Sequence, residues 1–328
     1  MAYIIENYTD NIEDKWDEFI LKRSINGLFI QTRKFINYHE QDKFKDCSLI
    51  VKKGDEIVSA ILACEIEEGS KRVFYAHKGS TFGGISISSN IYSVEALDEI
   101  LDLILNKVKD MGFDKIYLKM VPEVYQRSSS ELLDYYLYNK GFQCFDELNF
   151  YMHLDRYVDN IENQFSSKKR RDYRYSLKNG LTFKKLENKD EIFDYHEILK
   201  MNLKKLNLPL IHSLSDFYDL KYNRFSENMD FYGVFYEGRM IAGSLLFYFN
   251  DNIVHTQYLS SNEEYLKLFP MDFLIYNLIK VAIERKADLF TFGICTEDEG
   301  RYLNMGLSKF KEGFGAEYCI NRTYTKDL

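Results

Sequence analysis

Tyr138–Gln143 reads Y-N-K-G-F-Q, and Phe310–Gly315 reads F-K-E-G-F-G. Each stretch closes a run with helical periodicity and opens onto a run of strand-forming residues, so Gly141-Phe142 and Gly313-Phe314 occupy the same slot. A glycine there supplies the left-handed residue that ends a helix. Working outward from these two joins, the chain says one thing twice. From Cys47, S-L-I-V-K-K is followed by Gly54-Asp55, then E-I-V-S-A-I-L-A-C-E-I, then Glu68-Gly69-Ser70, then K-R-V-F-Y-A-H. These runs are β-branched and aromatic, broken by turn residues, and read as a meander of strands. A helix follows, N-capped by Ser93, with Ala96, Leu97, Ile100, Leu101, Leu103, Ile104 and Val108 on one face. Gly112 stops it, and D-K-I-Y-L-K-M-V is another strand.

From Asp230 the order recurs. F-Y-G-V-F-Y, Glu237-Gly238, R-M-I-A-G-S-L-L-F-Y-F, Asn250-Asp251-Asn252 and I-V-H-T-Q-Y-L-S lead to a helix with Phe273, Leu274, Leu278, Ile279, Ala282 and Ile283 inward, then L-F-T-F-G-I. Ser128-x-x-Glu131 is a capping-box pattern before the first of the two closing helices. Amphipathic helices open both halves, around Trp16 in the first and over Ile192–Leu206 and Phe217–Phe225 in the second. The expectation is an α/β protein with mixed sheets, built as two copies of one module over residues 1–155 and 156–328. The last strand is a candidate to return to the first module.

Composition agrees with such a body. The chain has 328 residues, 45% of them apolar and 29% charged, which is enough for two cores. A net charge of −8 argues against a surface that tracks nucleic acid throughout. The acidic start M-A-Y-I-I-E-N-Y-T-D lacks the basic and apolar regions of a signal peptide. The longest apolar run, Ile241–Phe249, is too short to cross a bilayer. The five cysteines are scattered without C-x-x-C spacing. They read as reduced thiols in a cytoplasmic protein, with no metal site and no disulfide framework expected.

The segments Phe29-Ile-Gln-Thr-x-x-Phe, Tyr38-His39 with Asp46-x-Ser48-Leu-x-Val, His77-x-Gly79-x-Thr81-Phe-Gly83-Gly84, the basic stretch at Lys168, and Gly306-Leu-x-x-Phe310-Lys311-x-x-Phe314-Gly315 stand in order along the chain. With the doubled module they make the chain resemble the FemAB-like branch of the GNAT acyltransferases, which includes the Fem-type peptidoglycan aminoacyltransferases. The resemblance implies two tandem GNAT-like modules and amide formation: an acyl or aminoacyl group passes to an amine of a cell-envelope precursor. An amino-sugar nucleotide and a peptidoglycan precursor are the implied acceptors, and the first segments are closer to relatives associated with surface polysaccharide. The donor stays open between aminoacyl-tRNA, implied by the Fem branch, and acyl-CoA, implied by the wider superfamily. The long charged helical hairpin of some Fem enzymes has no counterpart here.

The same resemblance implies that Phe310-Lys311 lies at the transfer site, with the lysine neutralising charge on the acyl carbonyl. One well-placed donor supplies about 3 kcal/mol to such an oxyanion. The bland alternative is a basic residue favoured at the end of its helix; Lys309 faces solvent. Asn139 stands at the matching position of the first module, which makes that module the passive or acceptor side. The glycines Gly313 and Gly315 do not read as a phosphate cradle, because they end a helix rather than open one. The stretch Ser166–Arg174 packs five basic residues into nine. It is either a solvated helix face or, through Arg171 and Arg174, an anchor for a pyrophosphate or a tRNA acceptor end.

His77 and the following glycines suit close approach of a ligand, or simply a tight loop around a satisfied histidine. Tyr258, as a catalytic candidate, and Arg224 and Tyr302, as substrate-binding candidates, are polar residues of the second module expected to face a cleft. Glu297-Asp298-Glu299 follows a strand end, where a carboxylate could deprotonate an amine. No Ser-His-Asp or Cys-His arrangement, H-E-x-x-H or P-loop is present, consistent with direct attack by an amine on an activated acyl donor. The competing class is a non-enzymatic recognition protein on a degenerate scaffold.

Overall fold

The computed structural model describes residues 2–328 and resolves into two compact units. The first runs to Glu147 and takes in Asp298–Gly300 and Cys319–Leu328; the second comprises Leu148–Glu297 and Arg301–Tyr318. Residues 149–153, read from sequence as part of the first module, pair with the second unit's strand at 289–294.

In the first unit, β1 (Tyr3–Asn7) is followed by α1 (Glu13–Glu18) and the short α2 (Arg33–Ile36). Then come β2 (Lys45–Asp46), β3 (Leu49–Lys53), β4 (Glu56–Ile61), β5 (Cys64–Glu68), β6 (Lys71–Ala76) and β7 (Ile85–Ile87). The unit continues with α3 (Val94–Asp110), β8 (Lys115–Lys119), α4 (Glu131–Asn139) and the start of β9 (Gln143–His153). Ser93 caps α3 as its sequence predicts, accepting the Ala96 N–H at 3.3 Å. The capping box expected before α4 does not form. The Tyr92 hydroxyl accepts from the Leu132 and Leu133 N–H groups instead, at 3.0 and 3.3 Å.

The run E-I-V-S-A-I-L-A-C-E-I, read as one strand, is broken into β4 and β5. β4 joins the sheet β1-β3-β4-β7, while β5 pairs with β2 and β6. The break is held by Ser48, whose Oγ accepts the Ala63 N–H at 2.9 Å and donates to the Ala63 carbonyl at 3.2 Å. A side chain thus replaces the ladder where the strand changes sheets.

In the second unit, α5 (Ser167–Lys178), β10 (Thr182–Leu186), α6 (Lys189–Lys205) and α7 (Leu214–Tyr218) precede β11 (Met229–Tyr236), β12 (Arg239–Phe249) and β13 (Ile253–Ser261). After these come α8 (Pro270–Glu284), β14 (Leu289–Ile294), the two-residue β15 (Thr296–Glu297) and β16 (Tyr302–Leu303), α9 (Met305–Glu312) and β17 (Glu317–Asp327). The sheet runs β10-β11-β12-β13-β14-β9. Its core gathers Leu246, Val254, Leu274, Leu278, Phe290, Phe292 and Phe314.

The repeat is visible in the pairing. β6 and β8 are parallel and bridged by α3; β13 and β14 are parallel and bridged by α8. A parallel pair needs such a crossover, so the helix is part of the join. The final strand, from Cys319 on, belongs to the first unit, with Thr323–Asp327 antiparallel to β8.

The two joins differ in one respect. Gly141 is left-handed (φ +79°), but Gly313 is not (φ −59°); the left-handed residue in the second copy is Gly315 (φ +87°). Gly313 is a glycine for another reason: a Cβ there would lie 2.8 Å from Lys169 Cγ. Both strands begin two residues after the left-handed glycine, so Gly315 matches Gly141. Lys311 then matches Leu137, not Asn139.

Candidate functional site

The parallel pairing of β13 with β14 ends at His255↔Thr291, yet β13 continues from Thr256 to Ser261. Along that stretch it pairs only with β12, with Gln257 bulged out between Leu245 and Leu246 of the register. β14 meanwhile turns toward β9 with a bulge at Phe292. The two strands therefore part, leaving an edge of β13 that can accept an extended substrate. In the first unit β6 stops at Ala76, where its pairing with β8 also stops, so no such overhang forms.

Lys311 lies at this parting. It is 2% exposed, and its Nζ donates to the Gly293 and Ile294 carbonyls, both at 2.8 Å. In a regular strand consecutive carbonyls point to opposite sides. Gly293, at φ +76°, turns the backbone so that both reach one amine. Burial lowers the Lys311 pKa, and the Cys295 side chain beside it acts in the opposite sense. The face of Phe150 lies 5.4 Å from Nζ. His255 is buried with Nδ1 2.8 Å from the Thr291 hydroxyl; burial, and then the Lys311 charge, push its pKa down to about 3. It is a neutral imidazole at physiological pH.

A Gly293→Ala variant should lose about 1–2 kcal/mol, the cost of a left-handed non-glycine residue. The added Cβ meets only His255 Cε1, at an ordinary 3.6 Å, so the loss is conformational. Urea denaturation measures it.

Phe310 stands edge-on to Phe314, with ring centroids 5.1 Å apart, and carries Lys169 Nζ 4.3 Å over its face. That lysine also pairs with the buried Asp272 at 2.7 Å. Phe310 thereby fixes α9 against α5, which sets where Lys311 points. Tyr258 lies on the β13 overhang, its hydroxyl 2.7 Å from His212 Nδ1 and its carbonyl accepting from Ser244 Oγ at 2.9 Å. Burial pushes its pKa up to about 12, so the phenol stays protonated.

Arg171 and Arg174 line a groove of about 520 Å³ along α5 with Ser167, Arg170, Tyr175 and Lys178. These positions form one helical stripe. Asp172 and Glu162 each offset one arginine, at 3.2 and 2.8 Å. Lys169 points the other way, into the core. Arg224 pairs with Asp219 of its own helical turn, and Tyr302 is exposed on the β15–β16 hairpin opposite Glu297. Neither is brought to Lys311 by a direct contact.

His77 lies in the first unit. It is buried, accepts the Gly79 N–H at Nδ1 (2.9 Å), and is held neutral by burial, which lowers its pKa to about 3. The glycines after it are demanded by packing. A Cβ at Gly79 would meet His39 Nε2 at 2.6 Å, and one at Gly83 the Ala76 carbonyl at 2.5 Å.

Sequence reasoning missed Gly293, Cys295, His255 and His212. Only Gly293 carried a signal, a glycine inside a strand run, which often marks a bulge.

Residues 167–311 match the family described as an acetyltransferase (GNAT) domain, so the match ends on Lys311 itself. No curated protein matches the chain in sequence. Among solved structures, that of FemX is similar over 100% of this chain and 98% of its own, with a TM-score of 0.72 at 16% identity. The chain is a tandem GNAT-fold protein of Fem-like architecture. The C-terminal domain of an Agrobacterium fabrum protein named as a lysylphosphatidylglycerol synthetase gives 0.64 at 11% identity, covering 97% of this chain and 92% of that one. A tandem GNAT protein from the clavulanic acid biosynthesis pathway gives 0.57 at 8%, covering 99% and 98%. The second unit of this chain, which holds residues 167–297 and 301–311 of the family match, therefore carries a GNAT fold.

Proposed function

We propose that this Fem-like GNAT protein is an N-acyltransferase that forms an amide on an amine of a cell-envelope precursor, an amino-sugar nucleotide or a peptidoglycan precursor. The observation that carries the reading is the buried Lys311 amine at the parting of β13 and β14. Its Nζ is held by the Gly293 and Ile294 carbonyls with the Cys295 side chain beside it, and on this reading the N–H toward Cys295 turns to a substrate oxygen when a donor binds.

The acceptor nitrogen attacks the donor carbonyl carbon. The C–N bond forms as the carbonyl electron pair moves to oxygen, and Lys311 stabilises that oxyanion. Collapse breaks the bond to the leaving group, which takes the proton released by the nitrogen. No covalent enzyme intermediate is required. Either donor suits this scheme: an aminoacyl ester of tRNA leaves as a ribose hydroxyl, an acyl-CoA as a thiol. The arginine stripe of α5 supports phosphate binding for either. The envelope acceptor is supported by the likeness to FemX and to a protein named as a lysylphosphatidylglycerol synthetase.

The test supplies amino-sugar nucleotides and muropeptide precursors with acyl-CoA or charged tRNA in parallel, and reads the added mass. The expected result is one acyl or aminoacyl group on the acceptor amine. Transfer from CoA alone removes the tRNA version. Binding without turnover on any amine would favour the recognition-protein reading.

A further inference from the structure

The first unit contains a cavity of about 710 Å³, at which His77 is one of the lining residues. Its lining includes Tyr8, Arg33, Asp46 and three further carboxylates, Asp10, Glu40 and Asp42. Arg33 is 1% exposed, with its guanidinium carbon 3.4 Å from the Tyr8 ring and 4.4 Å from that of Trp16. Nη1 pairs with Asp46. Among the described residues Nε and Nη2 are buried and have no hydrogen-bond partner, and the Tyr8 hydroxyl likewise has none. Asp46 is already engaged, since its other oxygen accepts the Ser48 N–H at 2.8 Å.

A buried guanidinium edge without an acceptor is costly, because each unmade bond forfeits the solvation of its donor. The Nε–Nη2 edge presents two parallel N–H groups, the fork that matches a carboxylate. The phenol beside it is a donor too, its pKa raised to about 12 chiefly by burial. The rest of the lining has the opposite sign. Once Arg33 and Asp46 cancel, Asp10, Glu40 and Asp42 remain and oppose a phosphate or pyrophosphate. A single carboxylate with a cation attached satisfies both parts.

We propose that this cavity binds the α-amino-acid end of a small molecule. Its carboxylate lies on the Arg33 Nε–Nη2 edge and the Tyr8 hydroxyl, and its ammonium lies against Asp10, Glu40 and Asp42. The rest of the molecule extends over Ile36 and Phe44, which also line the space. The site stands independently of the transfer reaction and needs no residue of the second unit.

Isothermal titration of the full chain with alanine, acetate, ethylamine and inorganic phosphate tests it. Alanine should bind, acetate and ethylamine should each bind at least about tenfold more weakly, and phosphate should not compete. Tyr8→Phe keeps the ring stacked on Arg33 and removes only the hydroxyl, so it should weaken alanine about five- to tenfold. The double variant Glu40→Gln/Asp42→Asn, at exposed positions, should weaken alanine while leaving acetate no weaker. Arg33 itself is left intact, because its removal would collapse the stack between Tyr8 and Trp16. Alanine binding no tighter than acetate, a preference for phosphate, or both variants binding alanine as the parent does would overturn the proposal. A preference for phosphate would make the cavity an anion site instead, and either of the other two results would make Arg33 a structural cation.

Discussion

Lys311→Met should lower the transfer rate by about a hundred- to a thousandfold, the usual loss when one oxyanion donor is removed. Stability at neutral pH should change by no more than about 1 kcal/mol, because two effects oppose each other. The variant relieves the desolvation of a buried amine but leaves the Gly293 and Ile294 carbonyls without their donor. The first copy already shows that the slot is compatible with an apolar residue, since the matching Leu137 is fully buried.

The pH dependence separates the parts. The folded pKa of Lys311 lies below the ordinary 10.5, so above the folded value the unfolded chain holds this proton more tightly than the native one. The destabilising contribution is therefore complete below the folded pKa and is relieved as pH climbs toward 10.5. Denaturation of both proteins across that range should show the parent gaining on the variant as pH rises. Activity should run the opposite way, falling on the alkaline side as Lys311 loses its proton. A rate that rises through the same range would assign Lys311 as a base rather than an oxyanion partner.

Asp230→Ala should cost about 3–5 kcal/mol. Asp230 is 3% exposed, and one carboxylate oxygen accepts from Lys221 Nζ at 2.7 Å while the other accepts from the Tyr248 hydroxyl at 2.9 Å. Lys221 is itself buried and also donates to the Ser226 and Met229 carbonyls, at 3.0 and 2.7 Å. Removing the carboxylate strands a buried ammonium and a buried phenol together. The exposed Lys185, 2.8 Å away, adds little. Replacing both partners, Lys221→Met with Asp230→Leu, should recover most of the loss, since no uncompensated charge remains. Urea denaturation of the single and double variants reads both numbers.

The parts of the fold that were legible are those with local causes. Ser93 caps α3 where the pattern places it, and the apolar stripes of α3 and α8 face the cores they predict, except that Leu103 and Ile283 at their margins are only half-buried. The break between β4 and β5 was not legible. It depends on Ser48 bonding the Ala63 backbone, a contact between residues fifteen positions apart. The Arg33–Asp46 and Lys221–Asp230 pairs were hidden for the same reason: nothing in the spacing of a charged residue tells whether its neighbours in space will bury it.

At the two helix-to-strand joins the division is sharpest. The sequence by itself determined that Y-N-K-G-F-Q and F-K-E-G-F-G do the same work, because helix periodicity, a glycine stop and a strand run recur in order. It could not tell which glycine of Gly313-Phe314-Gly315 is left-handed. Tertiary packing crowds both positions, a Cβ at Gly313 meeting Lys169 and one at Gly315 meeting Tyr157 and the Gln164 carbonyl, and it is Gly315 that takes the positive φ. The shift of two residues moves Lys311 from opposite an exposed asparagine to opposite a core leucine, and so makes it a buried amine. Local propensity sets where a helix ends; only the neighbours it packs against set which face of its last turn is inside.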